Sequence, residues 1–385
     1  MGPWLSLLVL GAAAAALGAA LGAEDWGETV LVQVIHRHGD RSAKRTYPND
    51  PYNGNWSYYW PEGFAQLTKV GFEHGHELGR FLRARYGSLL PARYNMSRLL
   101  ARSTDSDRTL QTAECVLAGL YPPLHHSWGR VRWQPVPVFS TPSEHDHILK
   151  VPSCDLLDAV TDAVADTDEM KCVDKRISKV KKYLKKVAGT SHWNHVFDAL
   201  RAEASLNLTL PEWSSEVYPD TLSSIWAWTR WLPTQLQQRF SSGGLIRELT
   251  KRMEQAADGS SSSGGDRKMY LYSAHDTNIV NLLSSLQAFN FIAVPFTAAV
   301  MLELRRLSAG DYAVAMWYRN TTAHEPYLLT VRGCEPLCPL ERFVNITAPL
   351  VPTDYAQECC QKLPSGYKAQ LDKPSVDNPL WKGCI

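Results

Sequence analysis

The residues best suited to chemistry are concentrated in one short segment, Arg37-His38-Gly39-Asp40-Arg41, where a histidine stands between two arginines. Guanidinium groups bind phosphate oxygens in a bidentate way, so the segment favours a doubly charged phosphoryl group as its ligand. Their positive charge also disfavours protonated His38 and leaves one ring nitrogen available as a nucleophile. Gly39 is expected to let a ligand approach the backbone. These five residues alone leave a salt-bridged surface loop as the alternative.

Two further segments place similar residues behind apolar runs. Arg102 follows the run at 97–101, and His275 and Asp276 follow the run at 268–273. Arg102 is expected to bind the phosphoryl group together with Arg37 and Arg41, so that three guanidinium groups neutralise its charge without a metal. Taken alone, His275 is typical of a buried histidine with satisfied hydrogen bonds, and Asp276 is typical of a helix N-cap.

The elements that must position these residues alternate between strands and helices. The apolar run at 28–35 predicts a buried strand that ends at the first motif, and the spacing at 64–86 predicts a helix. A β-rich segment is expected at 131–139 and a hairpin over 299–318. Since ligands bind at the carboxyl ends of strands in open α/β sheets, the pattern predicts an α/β fold with its site at that edge.

The periodicity also predicts how the chain is divided. Residues 153–257 are almost wholly helical in pattern and lie between strand-rich segments, which indicates a cap domain inserted into an α/β catalytic domain. The catalytic domain would comprise residues 24–152 and 258–345, followed by a C-terminal tail at 346–385. A Gly- and Ser-rich loop at 259–266 would end the insertion.

The first 23 residues indicate passage through the secretory route. They carry an uncharged apolar run that ends in small residues, which predicts a cleaved signal peptide, with an uncleaved signal anchor as the alternative. Eight cysteines form an even set, as disulfides in an oxidising compartment require, whereas a zinc site at Cys334, Cys338, Cys359 and Cys360 is the other interpretation. Glycosylation sequons begin at Asn55, Asn95, Asn207, Asn320 and Asn345.

The segment Arg37-His38-Gly39-Asp40-Arg41 resembles the signature of the histidine acid phosphatases. Segments that begin at Trp60, Arg102, Tyr272 and Gly333 are similar, in the same order, to segments of the animal prostatic and lysosomal acid phosphatases, and the likeness runs from about residue 29 to 359. The resemblance implies a phosphoglycerate-mutase-like α/β/α sandwich with a mostly parallel sheet and a smaller inserted helical cap. It also implies hydrolysis of phosphate monoesters of small molecules or proteins, without a cofactor.

The resemblance assigns roles to individual residues. His38 would be the nucleophile that forms a phosphohistidine, Asp276 the proton donor, and His275 a further phosphate ligand beside Arg37, Arg41 and Arg102. Trp193 would form an apolar wall of the substrate pocket. The implied disulfides are Cys154 with Cys359, which would tie down the tail, and Cys334 with Cys338, while the pairing of Cys115, Cys172, Cys360 and Cys384 stays open.

The resemblance further implies a secreted or lysosomal protein that can form a homodimer, although the C-terminal membrane anchor of the lysosomal relatives is not expected. The chain departs from the family at Ser42-Ala43, where a proline is usual. The formal net charge of +1 gives no indication of a nucleic-acid partner.

Three other functions compete with the phosphatase. A catalytically silent phosphoester-binding protein would be expected to lack His38 or Asp276, and a cytosolic phosphomutase does not fit the signal peptide. A metal-dependent hydrolase could use the His-x-His pairs at 36–38, 74–76 and 145–147. No metal is expected, because the cations beside His38 oppose one.

Overall fold

The computed structural model describes residues 26–124, 131–151, 153–259, 266–374, 376 and 378–384. The predicted signal peptide at 1–23 and most of the predicted loop at 259–266 lie outside these residues. No helix in the described ranges is both long and apolar enough to cross a membrane.

The described residues form a central sheet and a set of surrounding helices. The strands are β1 (Glu28–Arg37), β2 (Leu99–Thr104), β3 (Val138–Thr141), β4 (Met269–Ala274), β5 (Ala299–Arg306), β6 (Tyr312–Arg319), β7 (Tyr327–Leu329) and β8 (Leu337–Pro339). The helices are α1 (Trp56–Tyr59), α2 (Lys69–Tyr86), α3 (Asp107–Leu120), α4 (Asp155–Ala165), α5 (Asp168–Val187), α6 (Trp193–Ser205), α7 (Asp220–Trp228), α8 (Gln235–Ala257), α9 (Asp276–Ser285), α10 (Leu340–Thr347) and α11 (Tyr355–Cys359).

The sheet has the strand order β3-β2-β4-β1-β5-β6-β7, with β8 paired to β6. The four strands from β3 to β1 run parallel, and β5 to β8 pair in antiparallel fashion. The hairpin predicted over 299–318 is confirmed, since Arg306 pairs with Tyr312 at its turn. Because β1, β2 and β4 are parallel neighbours, their carboxyl ends meet at one edge of the sheet.

Alternating side chains of β1 pack helices on both faces of the sheet. Val32 and Val34 belong to the core that α2 and α3 complete, and Leu31 and Ile35 belong to the core that includes α8 and α9. This alternation follows from the two-residue period of a strand. Helices on both faces of a sheet with four parallel strands confirm the α/β sandwich.

Two predicted strand limits are wrong. In the segment at 131–139 a strand begins only at Val138, because Pro135 and Pro137 have no N–H to donate to a ladder. The strand expected at 97–101 continues to Thr104, so Arg102 lies inside β2 and pairs with the backbone of Tyr272. That shift changes where the Arg102 side chain can reach.

Residues 153–257 contain α4 to α8, as the helical pattern indicated. Their last helix also contacts the sheet, since Gln33 Nε2 donates to Leu249 O at 2.8 Å. A separate cap domain that ends at residue 257 therefore stays a prediction, because α8 serves the α/β core as well.

The disulfides follow the pairing that the resemblance implied and add one pair. Cys154 bonds to Cys359 and Cys334 bonds to Cys338, so a zinc site at Cys334, Cys338, Cys359 and Cys360 is wrong. Cys172 bonds to Cys384, which fastens residues near the end of the chain to α5. Cys115 and Cys360 are free thiols.

The predicted glycosylation sites lie at the surface. Asn55, Asn95, Asn207 and Asn345 are exposed and Asn320 is half-buried. Glycosylation itself stays a prediction, and the exposure of these residues leaves room for it.

Glycines let α2 and α3 approach each other closely. A Cβ at Gly79 would stand 2.0 Å from Val116 O, and one at Gly119 would stand 2.1 Å from His76 O. Backbone therefore packs on backbone where these helices cross. At the start of α2, a Cβ at Gly71 would collide with Asp40 O, so this helix also lies against the loop that follows β1.

Replacement of Gly79 by alanine tests this helix contact. In an open helix Gly→Ala stabilises by about 1 kcal/mol, but here we expect the free energy of unfolding to fall by about 1–3 kcal/mol, because the added methyl group meets a carbonyl. Urea unfolding followed by circular dichroism measures the change. Gly54→Ala is the matched control, since a Cβ there meets nothing within 4 Å. A Gly79→Ala protein as stable as the wild type would contradict the close approach.

Candidate active site

Three parallel strands deliver polar side chains to the same edge of the sheet. β1 ends at Arg37 and passes into the first motif, β4 ends at Ala274 before His275, and β2 passes into α3, whose first turn carries Arg108. The segment before β5, which contains Phe296, reaches this edge as well, because β5 runs antiparallel to β1. The site is therefore a product of the sheet topology.

The loop after β1 is fixed by backbone contacts. His38 N donates to Ala274 O at 2.9 Å, and Thr297 N donates to His38 O at 3.1 Å. Gly39 N donates to Thr112 Oγ1 at 2.9 Å. A Cβ at Gly39 would stand 2.4 Å from Gly71 O, so this glycine makes room for α2. The sequence had instead suggested that Gly39 makes room for a ligand.

Asp40, within the same motif, points away from the phosphate-binding residues. Its Oδ2 lies 2.6 Å from His74 Nδ1, and this hydrogen bond raises the pKa of His74 above its usual value. Its carbonyl oxygen accepts from Thr68 N and Thr68 Oγ1. Asp40 thus joins the motif to the start of α2.

His38 is buried and oriented as a neutral imidazole. Its Nδ1 lies 2.9 Å from Gly39 O, so Nδ1 carries the proton and Nε2 keeps its lone pair. Burial, and then the charge of Arg41, hold the pKa of His38 well below its usual value. The ring lies edge-on to His275, with the ring centroids 5.6 Å apart.

Arg37 and Arg41 flank the histidine, and both are almost fully buried. Arg37 donates through Nη1 to Val294 O at 2.8 Å, and its Nη2 lies 3.3 Å from Asp276 Oδ2. Arg41 forms a two-pronged ion pair with Asp198, with N–O distances of 2.5 and 3.2 Å. The guanidinium of Arg37 also lies 3.9 Å above the ring of Phe296, so an aromatic face supports it.

Arg102 does not reach this site. Its Nη2 donates to Asp146 Oδ1 at 2.8 Å and to Thr141 Oγ1 at 3.0 Å. Asp146 is fully buried and accepts from two backbone N–H groups, of Ile148 and Leu149. The prediction that Arg102 binds the phosphoryl group is therefore wrong, because the residue lies inside β2, where its side chain joins a structural ion pair.

Arg108 occupies the position expected of Arg102. It lines the cavity beside His38, and its Nη2 lies 3.4 Å from His275 Nδ1. The sequence contained a signal for it, since Arg108 stands in the first turn of a helix that follows a strand, where side chains reach the strand ends. The pattern ended β2 three residues too early, so it pointed to Arg102 and not to Arg108.

His275 and Asp276 lie at the start of α9. His275 Nε2 lies 3.0 Å from Thr104 Oγ1, which leaves Nδ1 as the acceptor toward Arg108. Burial and the charge of Arg108 lower the pKa of His275. Burial alone would raise the pKa of Asp276. The charges of Arg201 and Arg230 outweigh this effect, so the pKa of the carboxyl lies below its usual value.

These side chains open into a cavity of about 440 Å³. Among the described residues that line it are Asp198 and Arg201 of α6 and Arg230 beyond α7, none of which the sequence had singled out. Trp193, predicted as a pocket wall, is not one of them, since it begins α6 and packs on the apolar core. Phe197 and Trp226 supply the aromatic lining instead.

The His-x-His pairs do not assemble a candidate metal centre. In the part of the chain that the structure describes, no three His, Cys, Asp or Glu side chains are grouped as ligands. His36 is fully buried in β1, where burial lowers its pKa to about 3.

Comparison with known proteins identifies the family. The family model "Histidine phosphatase superfamily (branch 2)" matches residues 30–319. Human prostatic acid phosphatase is 35% identical over 353 residues, which cover 86% of this chain and 88% of that protein. Human lysosomal acid phosphatase is 35% identical over 344 residues, which cover 86% and 79%. The chain belongs to the histidine phosphatase superfamily, branch 2, as the motif resemblance implied.

Solved structures agree on the fold. The phytase of Citrobacter braakii matches with a TM-score of 0.63 and 16% identity, over 86% of this chain and 99% of its own. The Hafnia alvei phytase in complex with myo-inositol hexakis sulphate also reaches 0.63 at 16% identity, over 89% of this chain and all of its own. At this identity the likeness concerns architecture alone.

Arg108 and Arg102 should respond differently to replacement by alanine. Arg108→Ala should raise the inhibition constant for inorganic phosphate about tenfold or more, because it removes a charged donor from the cavity. Arg102→Ala should instead lower the free energy of unfolding by about 3 kcal/mol, because Asp146 is left buried without its partner. Phosphate inhibition assays and urea unfolding measure both variants. Weaker phosphate binding in Arg102→Ala alone would contradict the assignment.

Proposed function

We propose that this protein is an acid phosphatase that hydrolyses phosphate monoesters to an alcohol and inorganic phosphate. One observation carries the proposal: Arg41 and Arg108 line the cavity with His38, Arg37 precedes His38 in the chain, and the Nε–H group of each arginine is buried without an acceptor among the described residues. Arg102 Nε also has no acceptor there, but Arg102 does not line this cavity. Each unsatisfied donor of this kind costs about 1–3 kcal/mol, which phosphate oxygens would recover by accepting. The family and the names of its acid phosphatase relatives support the same activity.

The first step transfers the phosphoryl group to the enzyme. His38 Nε2 attacks phosphorus with its lone pair while the bond from phosphorus to the ester oxygen breaks. The guanidinium groups neutralise charge on the other phosphate oxygens, and a neutral His275 holds Arg108 through its Nδ1 without repelling His38. The carboxylic acid of Asp276 gives its proton to the departing alkoxide, which leaves as the alcohol.

The second step releases phosphate and restores the enzyme. A water molecule attacks phosphorus of the phosphohistidine, the bond from phosphorus to Nε2 breaks, and the Asp276 carboxylate takes one proton from the water. His38 is then again neutral, with its proton on Nδ1 toward Gly39 O. Because the pKa of His38 is held low, the imidazole returns in the form that the next cycle needs.

The arginines around Asp276 account for an acid optimum. The general acid must be protonated when the ester bond breaks, yet Arg201 and Arg230 lower its pKa. The protonated fraction therefore grows as the pH falls, and turnover of esters with poor leaving groups should rise from pH 7 toward pH 4.

The phosphohistidine is open to direct test. A rapidly quenched reaction with ³²P-labelled substrate should leave label on His38 that is stable in base and labile in acid, and His38→Ala should carry none. Digestion and mass spectrometry locate the label. Label on a serine or aspartate would refute the role of His38, and a protein that binds phosphate without label or product would be the catalytically silent alternative.

Asp276→Asn separates proton donation from positioning. The variant keeps the size but cannot give a proton, so kcat for an alkyl phosphate at pH 5 should fall about a hundredfold or more. Kcat for p-nitrophenyl phosphate should fall much less, because its leaving group needs little help. Asp162→Asn, an exposed change in α4, is the matched control. An equal loss on both esters would show that Asp276 only positions the site.

Location and assembly extend the proposal. We place the protein in the secretory route, secreted or lysosomal, on the strength of the predicted signal peptide, the three disulfides and the surface sequons. A homodimer is consistent with β3, a strand at the edge of the sheet on which Phe139 is 54% exposed.

A further inference from the structure

The cavity holds more positive charge than a phosphate monoester needs. Seven lysine and arginine side chains line it, against two carboxylates, Asp198 and Asp276. Both carboxylates are already engaged, with Arg41 and Arg37 respectively. A bound phosphoryl dianion would neutralise only part of the remaining charge, so several cations are left for some other part of the ligand.

Two of these cations, Arg201 and Arg230, line the same cavity as His38 and Asp276. Arg201 belongs to α6, and its Nη2 donates to Val294 O, the carbonyl that also accepts from Arg37. Arg230 follows the end of α7, and its Nη1 donates to Trp226 O and to Thr229 Oγ1, each at 3.4 Å. The two are close enough for the charge of Arg230 to lower the pKa of Arg201, after burial, which lowers it most.

Aromatic faces hold both guanidinium groups in place. Arg201 Cζ lies 4.8 Å from the centre of the Phe296 ring, and Arg230 Cζ lies 4.4 Å from that of Trp226. Within the described ranges neither arginine has a carboxylate within 4 Å. Burial lowers the pKa of both arginines, and the charge of Asp276 acts on both at longer range to raise it, but Asp276 is already engaged with Arg37. Two half-buried, like-charged groups that share one carboxylate repel each other, and an anion between them would reduce that repulsion.

We infer that Arg201 and Arg230 form a second anion-binding subsite, which selects phosphate monoesters that carry a further phosphate or carboxylate group. The inference rests on the proposed phosphatase activity, because His38 must hold the phosphate that reacts. The reacting phosphate lies among Arg37, Arg41 and Arg108, and the second anion lies against the arginines of α6 and α7. The flanking rings of Phe197 and Trp226 would contact the carbon skeleton between them.

A different role for the pair would be to adjust Asp276 alone. Arg201 and Arg230 are the charges that lower the pKa of this carboxyl most. If that were their whole function, their removal would shift the pH profile toward higher pH with every substrate to the same extent. The subsite adds a dependence on the substrate, which the pH effect does not produce.

The experiment compares matched substrates in matched variants. We would measure kcat/KM at pH 5 for α,ω-alkanediol bisphosphates with two to six carbons and for the 1-alkyl phosphates of equal length. The wild type should prefer the bisphosphate about tenfold or more at its best chain length, beyond the factor of two for two reacting groups. Arg230→Gln and Arg201→Gln should each remove most of this preference.

Control variants show whether the bisphosphate preference depends on this subsite or on positive charge anywhere on the protein. Arg230→Lys keeps the charge and should retain part of the preference, whereas Lys181→Gln removes a charge from the exposed face of α5 and should leave the preference unchanged. Should Arg201→Gln fail to fold, Arg230→Gln still decides the matter. Phosphate release from p-nitrophenyl phosphate by the wild type confirms the proposed activity independently.

Each result has a definite meaning. Loss of the bisphosphate preference in Arg230→Gln, with Lys181→Gln unchanged, would support the subsite. An unaltered preference in an active Arg230→Gln enzyme, or a shift of the pH profile without a change of preference, would overturn it while the phosphatase activity stands. A wild type inactive on p-nitrophenyl phosphate would instead count against the proposed function itself.

Discussion

The buried concentration of guanidinium groups around one neutral histidine is the constraint on which the rest of the structure depends. Arg37 and Arg41 are nearly inaccessible to solvent, and each is held by a carboxylate and by backbone carbonyls. Burial of such charge costs desolvation free energy unless an anion that binds beside it offsets the cost. Burial, and then the charge of Arg41, hold the pKa of His38 well below its usual value, so in the proposed mechanism one arrangement would both bind the dianion and prepare the nucleophile.

The fold supports this arrangement through rigid backbone. Parallel strands β1 and β4 deliver His38 and His275 side by side, and the backbone hydrogen bond from His38 N to Ala274 O joins their ends. Glycines at 39 and 71 let α2 press against the motif loop, which leaves that loop little freedom to move. Displacement at phosphorus requires the reacting groups to be positioned to within about half an ångström. Residues on or next to sheet strands are held more precisely than residues on free loops.

The segment between β3 and β4 contributes further residues to the lining of the cavity. Asp198, Arg201 and Arg230 come from this segment, and Asp198 bonds directly to Arg41. Asp198 and Ser42 O accept three of the four terminal N–H groups of Arg41, so one Nη2 hydrogen and Nε–H are left for a substrate. The sheet edge thus carries His38 and the motif arginines, and the helices supply further charged and aromatic lining of the cavity.

The sequence by itself determined the α/β class, the motif with His38 as its centre, and the placement of His275 and Asp276 behind a strand, because these depend on local periodicity and short spacing. Only the tertiary structure decided between Arg102 and Arg108, since both stand near the end of the same strand and strand ends are poorly defined by pattern. It alone brought Arg201 and Arg230 to the cavity and left Trp193 outside it. Contacts between residues far apart in the chain depend on how helices pack over the sheet, and no local signal encodes that geometry.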